Sequence, residues 1–444
     1  MTVYENREAF IPYSRKDIIQ MCLEDGNFKP TDIQKFQDFC LLLSAYYHFK
    51  LHHTMEKLKE NYAPFNPDAD TKSRTIYTKA QLTNMEANVV KSFKTILEQA
   101  NYAPVSKKIL QKAFDAASLI ELKTDVNFDD FDQMVCYYRG DTDKTILVKK
   151  LWKKVSRKVD IFERVALLIK CKNYDYFEAQ KVNVKKLHFT PGQMYIYLYK
   201  NIPEYDLEFL FPNVKVSMTL KDRLFLGVPA VGAAIPLLVK ILPQLLLIIG
   251  VIILIVFGPD YTEQLNLKPN QEDVKDVMRI LVATFSLLVA LGGFAFKQYT
   301  KYKNKLIKFQ KDVTETLFFK SLALNGGVFQ SLIDAAEEEE CKEIILAYYH
   351  LLTSDMPLTP EQLDDKIEEW MDRKFDTKID FDIKGPLNNL TQIQGKVIGD
   401  GESEENTSDI PLLTYDERGC CQILPIDDAK QLIDYVWDNA FRYA

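Results

Sequence analysis

The sequence predicts an α+β, membrane-anchored fold with three parts. These are a helical then mixed α/β N-terminal domain, a two-helix transmembrane hairpin, and a C-terminal helical, winged-helix-like domain. Three observations predict it. Two apolar runs, Ala233–Phe257 and Val277–Phe296, stand nineteen residues apart near the middle of the 444-residue chain. Apolar residues at helical spacing dominate the first part, and short β-branched and aromatic runs follow them. Beyond Asp355 the chain closes on the order helix, helix, helix, then strands and a final helix, which resembles a winged helix. The expected segments are an N-terminal domain over 1–224, a first membrane helix over 225–257 and an external loop over 258–276. A second membrane helix over 277–296, a helical segment over 297–353 and the C-terminal domain over 354–444 complete them.

About twenty helical residues cover the roughly 30 Å hydrocarbon core of a bilayer, so each run is long enough to span. In the second run the one charge, Arg279, lies near an end, where a long side chain can snorkel to the headgroups. Ser286, Ala290 and Gly292–Gly293 offer small residues for close helix approach. The first run contains Pro236 and Pro243 and an intramembrane charge, Lys240, read as snorkelling. Basic residues set the orientation. Lys215, Lys221 and Arg223 precede the hairpin and six lysines from Lys297 to Lys311 follow it, against only Lys268 and Lys275 in the loop. Both termini are therefore expected on the cytoplasmic side.

A net charge of −7 argues against a general nucleic-acid binder. Seven cysteines with no C-x-x-C spacing imply neither a zinc knuckle nor a disulfide framework. Residues Met1–Phe10 carry neither an apolar signal core nor an Arg-rich presequence, so the first membrane helix would direct insertion.

Along the N-terminal domain, Tyr13–Met55 reads as helical, with Thr31–Asp32 capping a series at Ile33, Phe36, Phe39, Cys40, Leu43 and Tyr47. A turn-rich loop, Ala63–Asp70, leads to helices at Met85–Asn101 and Ser106–Ser118. Strands are expected at Met134–Tyr138, Phe162–Lys170, Met194–Lys200 and Val214–Met218. His48, His52 and Glu56 recur every four residues on one helical face, as metal ligands on a helix must. On a half-buried aromatic helix the same histidines would simply hydrogen-bond locally, and no second helix carries a matching Glu-x-x-His. The segment Lys144–Lys158 has seven basic residues and no acids, with Leu147, Val148, Leu151, Trp152 and Val155 at helical spacing. It reads as a basic amphipathic helix whose Lys149, Lys150, Trp152, Lys153 and Lys154 suit an anionic membrane surface, or as a solvated basic face.

The stretches Tyr62-Ala63-Pro64-Phe65-Asn66-Pro67-Asp68, Tyr137-Tyr138-Arg139-Gly140 and Ile202–Pro212, running on into the hairpin, resemble the transmembrane protein 143 family, also known as domain of unknown function 3754. The resemblance covers nearly the whole chain and is most specific from Gly192 through the hairpin. It implies a family spread over bacteria, mitochondria and plastids, with no established activity and no agreed catalytic residues. With no presequence, it implies a bacterial member, placed as a multi-pass protein of the bacterial inner (cytoplasmic) membrane.

After the hairpin, Tyr299, Tyr302, Leu306, Phe309 and Val313 continue the second helix as an apolar seam. Val328–Leu352 reads as the next helix, with Glu337–Glu340 as a solvated face. Thr359-Pro360-Glu361 starts a helix through Leu363, Ile367 and Trp370. Gly385–Ile393 is a short helix, Lys396–Ile398 and Leu412–Ile426 a ribbon joined by the acidic loop Gly399–Asp409, and Asp427–Phe441 a closing helix. From Asp355 to Ala444 there are twenty-one Asp and Glu against nine Lys and Arg, so the domain repels a duplex and suits protein recognition.

No nucleophile–base constellation or phosphate-cradling glycine loop is visible, and no cofactor is indicated. The leading reading is a non-enzymatic membrane-anchored scaffold or adaptor that sits in the lipid bilayer and docks a protein partner on its C-terminal domain. The alternatives are a metal-dependent membrane enzyme or sensor using His48, His52 and Glu56, and an oligomeric transport component with Lys240 lining a path.

Overall fold

The computed structural model describes residues 9–71, 74–106, 109–110, 122–150, 153–218, 256, 271–398 and 408–439. Chain contacts divide it into two compact units. Unit 1 combines Met1–Gln111, Asn127–Leu207 and Lys320–Ala444, and unit 2 combines Lys112–Val126 with Glu208–Phe319.

Unit 1 begins with α1 (Arg15–Glu24), where the Ser14 side chain accepts a hydrogen bond from the Asp17 backbone N–H. Next is α2 (Pro30–Tyr62), opened by a proline whose missing N–H costs nothing there. Phe36, Phe39, Cys40, Leu43, Tyr47, Leu51, Met55 and Leu58 recur at three- and four-residue steps, and all are buried. A capping box between Thr78 and Gln81 starts α3 (Lys79–Gln99).

A five-stranded antiparallel sheet follows. Its order is β1 (Ala103–Pro104), β3 (Phe131–Lys150), β4 (Lys153–Cys171), β5 (Met194–Pro203) and β7 (Ser321–Leu324). At the centre of β4, Val165 to Ile169 are fully buried. Both faces of that strand are therefore covered, so its sequence is a continuous apolar run with no alternation. The short α4 (Tyr174–Ala179) lies between β4 and β5 in the chain.

The helix α6 (Gly326–Leu352) is the axis of unit 1. It packs against α1, α2, α3, β5, β7, α7 (Pro360–Phe375) and α8 (Lys384–Gln392). From Cys341 to Leu351 every residue is buried. A helix surrounded on all sides has no polar face to offer. Two small ribbons follow, β8 (Gln394–Gly395) with β9 (Ile410–Pro411), and β10 (Leu413–Tyr415) with β11 (Cys421–Ile423). The last helix, α9 (Ile426–Asp438), packs on α2.

Several stretches singled out in the sequence are joints of this frame. Tyr62 Oη donates to the Met194 carbonyl at 2.8 Å, tying the end of α2 to β5. Asn325, held at φ 47°, accepts from Ile196 N at 3.1 Å through its side chain, while its amide nitrogen donates to Asp68. Its backbone, at φ 47° and ψ −125°, turns the chain from β7 into α6. Gly140 is left-handed at φ +73°, and a Cβ there would lie 2.6 Å from Glu163 Cγ and 2.7 Å from its Cβ. Gly140→Ala is expected to cost about 2–4 kcal/mol, from backbone strain plus overpacking. A thermal melt checks this, and Glu163→Ala in the same chain should restore part of the loss.

Unit 2 contains the antiparallel pair β2 (Leu122–Asp125) and β6 (Lys215–Met218), and nearly all of α5 (Gln271–Lys320).

The membrane-anchored reading is corrected here. Among the described residues no helix is long and apolar enough to cross a membrane. The first apolar run, with Lys240, lies outside the described residues apart from Val256. The second is one stretch of the 50-residue α5, which runs unbroken from Glu272 and Asp273 through the run to the lysines beyond Phe296. A hairpin needs two apolar helices, and only one helix is described here, with polar turns at both ends. The two-pass hairpin and the inner-membrane placement with both termini cytoplasmic fall with it. What stands is a mixed α/β protein.

The expected strands at Met134–Tyr138, Phe162–Lys170, Met194–Lys200 and Val214–Met218 all lie in or overlap β3, β4, β5 and β6. The Lys144–Lys158 helix does not form. Its described residues continue β3 and β4, where Thr145, Ile146, Val148, Val155 and Val159 favour strand over helix. The acidic loop falls largely outside the described residues, as does most of the Ser106–Ser118 helix.

Candidate functional site

Two features of unit 1 carry concentrated charge. The first is a β-arm. Strand β5 pairs with β4 only from Ile161 to Lys170, and β1 meets β3 only at Tyr137 and Tyr138. Strands β3 and β4 pair onward without them, from Asp143↔Asp160 to Lys150↔Lys153. At about 3.3 Å per residue the two-stranded section is roughly 25 Å long. Its final rungs place Lys149 opposite Lys154 and Lys150 opposite Lys153. Lys144, Arg157 and Lys158 sit on the rungs just behind, opposite Val159, Ile146 and Thr145. The residues read as a membrane-surface set are thus gathered at the end of a hairpin, except Trp152, which lies outside the described residues.

The second feature is inside. Glu337–Glu340 is not a solvated face. Glu339 is 1 % exposed and Glu340 7 %, because this part of α6 faces the N-terminal segment, α2 and α3. Lys342, itself 2 % exposed, pairs with Glu339 at 2.7 Å and donates to the Ile11 carbonyl at 2.7 Å. The Ile11 N–H donates back to Glu339 at 3.2 Å. Asn101, left-handed at φ 57°, donates to Glu343 at 2.8 Å and to Glu339 at 3.3 Å. The Asn389 amide donates to Glu340 at 2.8 Å. Arg139 lies over the Phe10 ring at 4.1 Å and the Tyr102 ring at 5.0 Å, and its charge acts on Glu339. Burial raises all three carboxyls. The Lys342 ammonium, the Ile11 amide and Arg139 oppose the rise at Glu339, whereas at Glu343 the other acids add to it.

A third buried group lies near the C-terminal end of α6. His350 is 2 % exposed and packs edge-on against Trp370 at 5.1 Å. Burial, helped by Lys366, pulls its imidazole down to about 3, so it is a neutral packing group. Beside it Tyr349 donates to Asp25 at 2.6 Å, and Lys374 pairs with the same carboxylate.

The candidate metal face is on α2, with His48, His52 and Glu56 all exposed. The His48 and His52 rings stack at 6.3 Å, His48 Nδ1 meets Glu337 at 2.8 Å, and Glu56 pairs with Lys59 at 3.1 Å. Among the described residues no group of three or more His, Cys, Asp or Glu is placed to hold a metal ion. Lys240 lies outside the described residues. All seven cysteines are free thiols.

A family model described as a protein of unknown function (DUF3754) matches residues 162–327. The matched part holds most of β4, all of β5, α5 and β7, and the start of α6. It amounts to an uncharacterised-family domain covering less than half of the chain, and establishes neither the transmembrane protein 143 assignment nor a bacterial source. No solved structure matches the chain.

Sequence reasoning missed Glu339, Lys342, Glu343 and Asn101. One signal was present: after Glu343 the chain runs Ile344-Ile345-Leu346-Ala347-Tyr348-Tyr349 without a polar side. Such a helix is buried all round, and its acids are buried with it.

Proposed function

We propose that this protein is a non-enzymatic adaptor that binds an acidic protein segment along its basic β-arm. The observation behind this is the β3–β4 ladder running on past β5, with no third strand among the described residues. A two-stranded ribbon has two unpaired edges, and an extended peptide can add to either through main-chain hydrogen bonds. Seven basic residues between Lys144 and Lys158 select an acidic strand. The net charge of −7, and the excess of acids from Asp355 onward, set the wider field against a polyanion such as duplex DNA. A short acidic protein segment feels the arm more than that field, since charges beyond about 8–10 Å are screened at ordinary salt.

The test is fluorescence anisotropy with the full-length protein and a labelled peptide of alternating Glu and Thr. The wild type should bind in a salt-dependent way. Reversing Lys149, Lys150, Lys153 and Lys154 to Glu should weaken binding by roughly tenfold or more, with the circular dichroism spectrum unchanged. Equal affinity in the two proteins would refute the proposal.

A further inference from the structure

The internal charges of unit 1 do not balance. Glu339 is matched by Lys342, by the Ile11 N–H and by the field of Arg139. Glu337 and Glu338 are matched at the surface by Arg15 from α1, and Glu337 also by His48 from α2. Glu340 has the Asn389 amide from α8, the Gln99 side chain from α3, and the charge of Lys50 from α2. Among the described residues Glu343, 6 % exposed, has one hydrogen bond, from the neutral Asn101 amide, and no paired cation. The charges reaching it are those of Glu339, Glu340 and Asp382, all negative. Into the same region α2 brings Tyr47, whose fully buried hydroxyl has no hydrogen-bond partner among the described residues and lies in the field of both Glu340 and Glu343. The backbone at Gly385, at the start of α8, comes so close that a Cβ there would stand 3.7 Å from Glu343 Oε2.

A buried carboxylate without a cation costs several kcal/mol, and proteins avoid that by protonating it. The Tyr47 hydroxyl, buried in the same region, brings Glu343 neither a cation nor a hydrogen bond among the described residues. We propose that Glu343, with Glu340, forms a buried proton-binding site at neutral pH, and that loss of the proton loosens the packing of α2 and α8 on α6.

The sign follows from linkage. Burial and the neighbouring acids raise the folded-state affinity of Glu343 for its proton above that of the unfolded chain. Below the unfolded value both states hold the proton and stability is unaffected. As pH rises above it, the unfolded chain ionises first, and folding weakens until the folded group ionises too. Glu343→Gln keeps the shape, can still accept from Asn101, and removes the titration. The variant's folding equilibrium constant should gain on the wild type by up to about tenfold per pH unit across that window.

Two measurements test this. Infrared spectra of the full-length wild type in D2O at neutral pH should contain a protonated-carboxyl carbonyl band that Glu343→Gln lacks. Urea unfolding across pH should give diverging stabilities for the two proteins. A wild type with no such band, or a band undiminished in Glu343→Gln, would overturn the proposal, as would parallel pH profiles. If the variant fails to fold, the wild-type band and its loss at high pH decide the question alone.

Discussion

Lys342→Met is expected to destabilise unit 1 by about 3–5 kcal/mol, the usual cost of removing one partner from a buried ion pair. Lys342 and Glu339 are each 2 % exposed at the side chain, and the ammonium also holds the Ile11 carbonyl. Without it Glu339 keeps only the Ile11 and Asn101 donors and the field of Arg139, and a carboxylate in that setting must protonate or drag in water. The N-terminal segment would also lose one of its ties to α6, the one through the Ile11 carbonyl. Methionine fills a similar volume, so the loss reports charge and hydrogen bonding more than packing. Urea unfolding of the full chain measures it. The double variant Lys342→Met with Glu339→Met should recover most of the loss, because a fully apolar pair leaves no buried charge. A single-variant loss under about 1 kcal/mol would mean that the pair behaves like a surface salt bridge.

A chain ending at Thr353 is expected to lose cooperative unfolding altogether. The helices that it lacks bring Leu363, Ile367, Met371, Leu390, Leu432 and Ile433 into the same core as Phe36, Phe39 and Tyr348. Tyr348 stacks on Phe39 at 4.2 Å, and its hydroxyl donates to the Leu424 carbonyl at 3.0 Å. Removing α7, α8 and α9 would bare one side of α6 and the face of α2 that α9 covers. Burying one large apolar side chain contributes about 1.5–3 kcal/mol, so losing several exceeds the whole stability of an ordinary domain. Scanning calorimetry of the shortened chain should show no native-like transition. A sharp transition near that of the full chain would instead establish Thr353 as the end of an independent domain. For the same reason, partner-binding experiments belong on the full chain with charge variants.

Local signals in the sequence led to most elements. Thr359-Pro360-Glu361 located the start of α7, and the spacing of Phe36, Phe39, Leu43 and Tyr47 located α2. Both depend on neighbours within a turn or two, which a sequence displays directly. The misreadings share one cause. Lys144–Lys158 fits a helical stripe and a strand pair equally well, and only pairing across the hairpin separates them. Glu337–Glu340 looked solvated because charge usually is. The apolar run Val277–Phe296 read as a membrane span from its hydropathy, whereas it is one stretch of a 50-residue helix.

Much of the order of helices and strands, the Thr359-Pro360 start of α7, the basic stretch between Lys144 and Lys158 and the acidic excess after Asp355 were legible in the residues, because each rests on short-range chemistry. The cap expected at Thr31–Asp32 was not, since α2 starts one residue earlier, at Pro30, with no side-chain cap. Which charges are buried, and with whom, was not legible either. Glu339 meets Ile11 across 328 positions of chain, and Glu343 meets Asn101 across 242. Such pairs are chosen by the packing of α6 among α1, α2, α3 and α8, a long-range outcome that no local pattern contains.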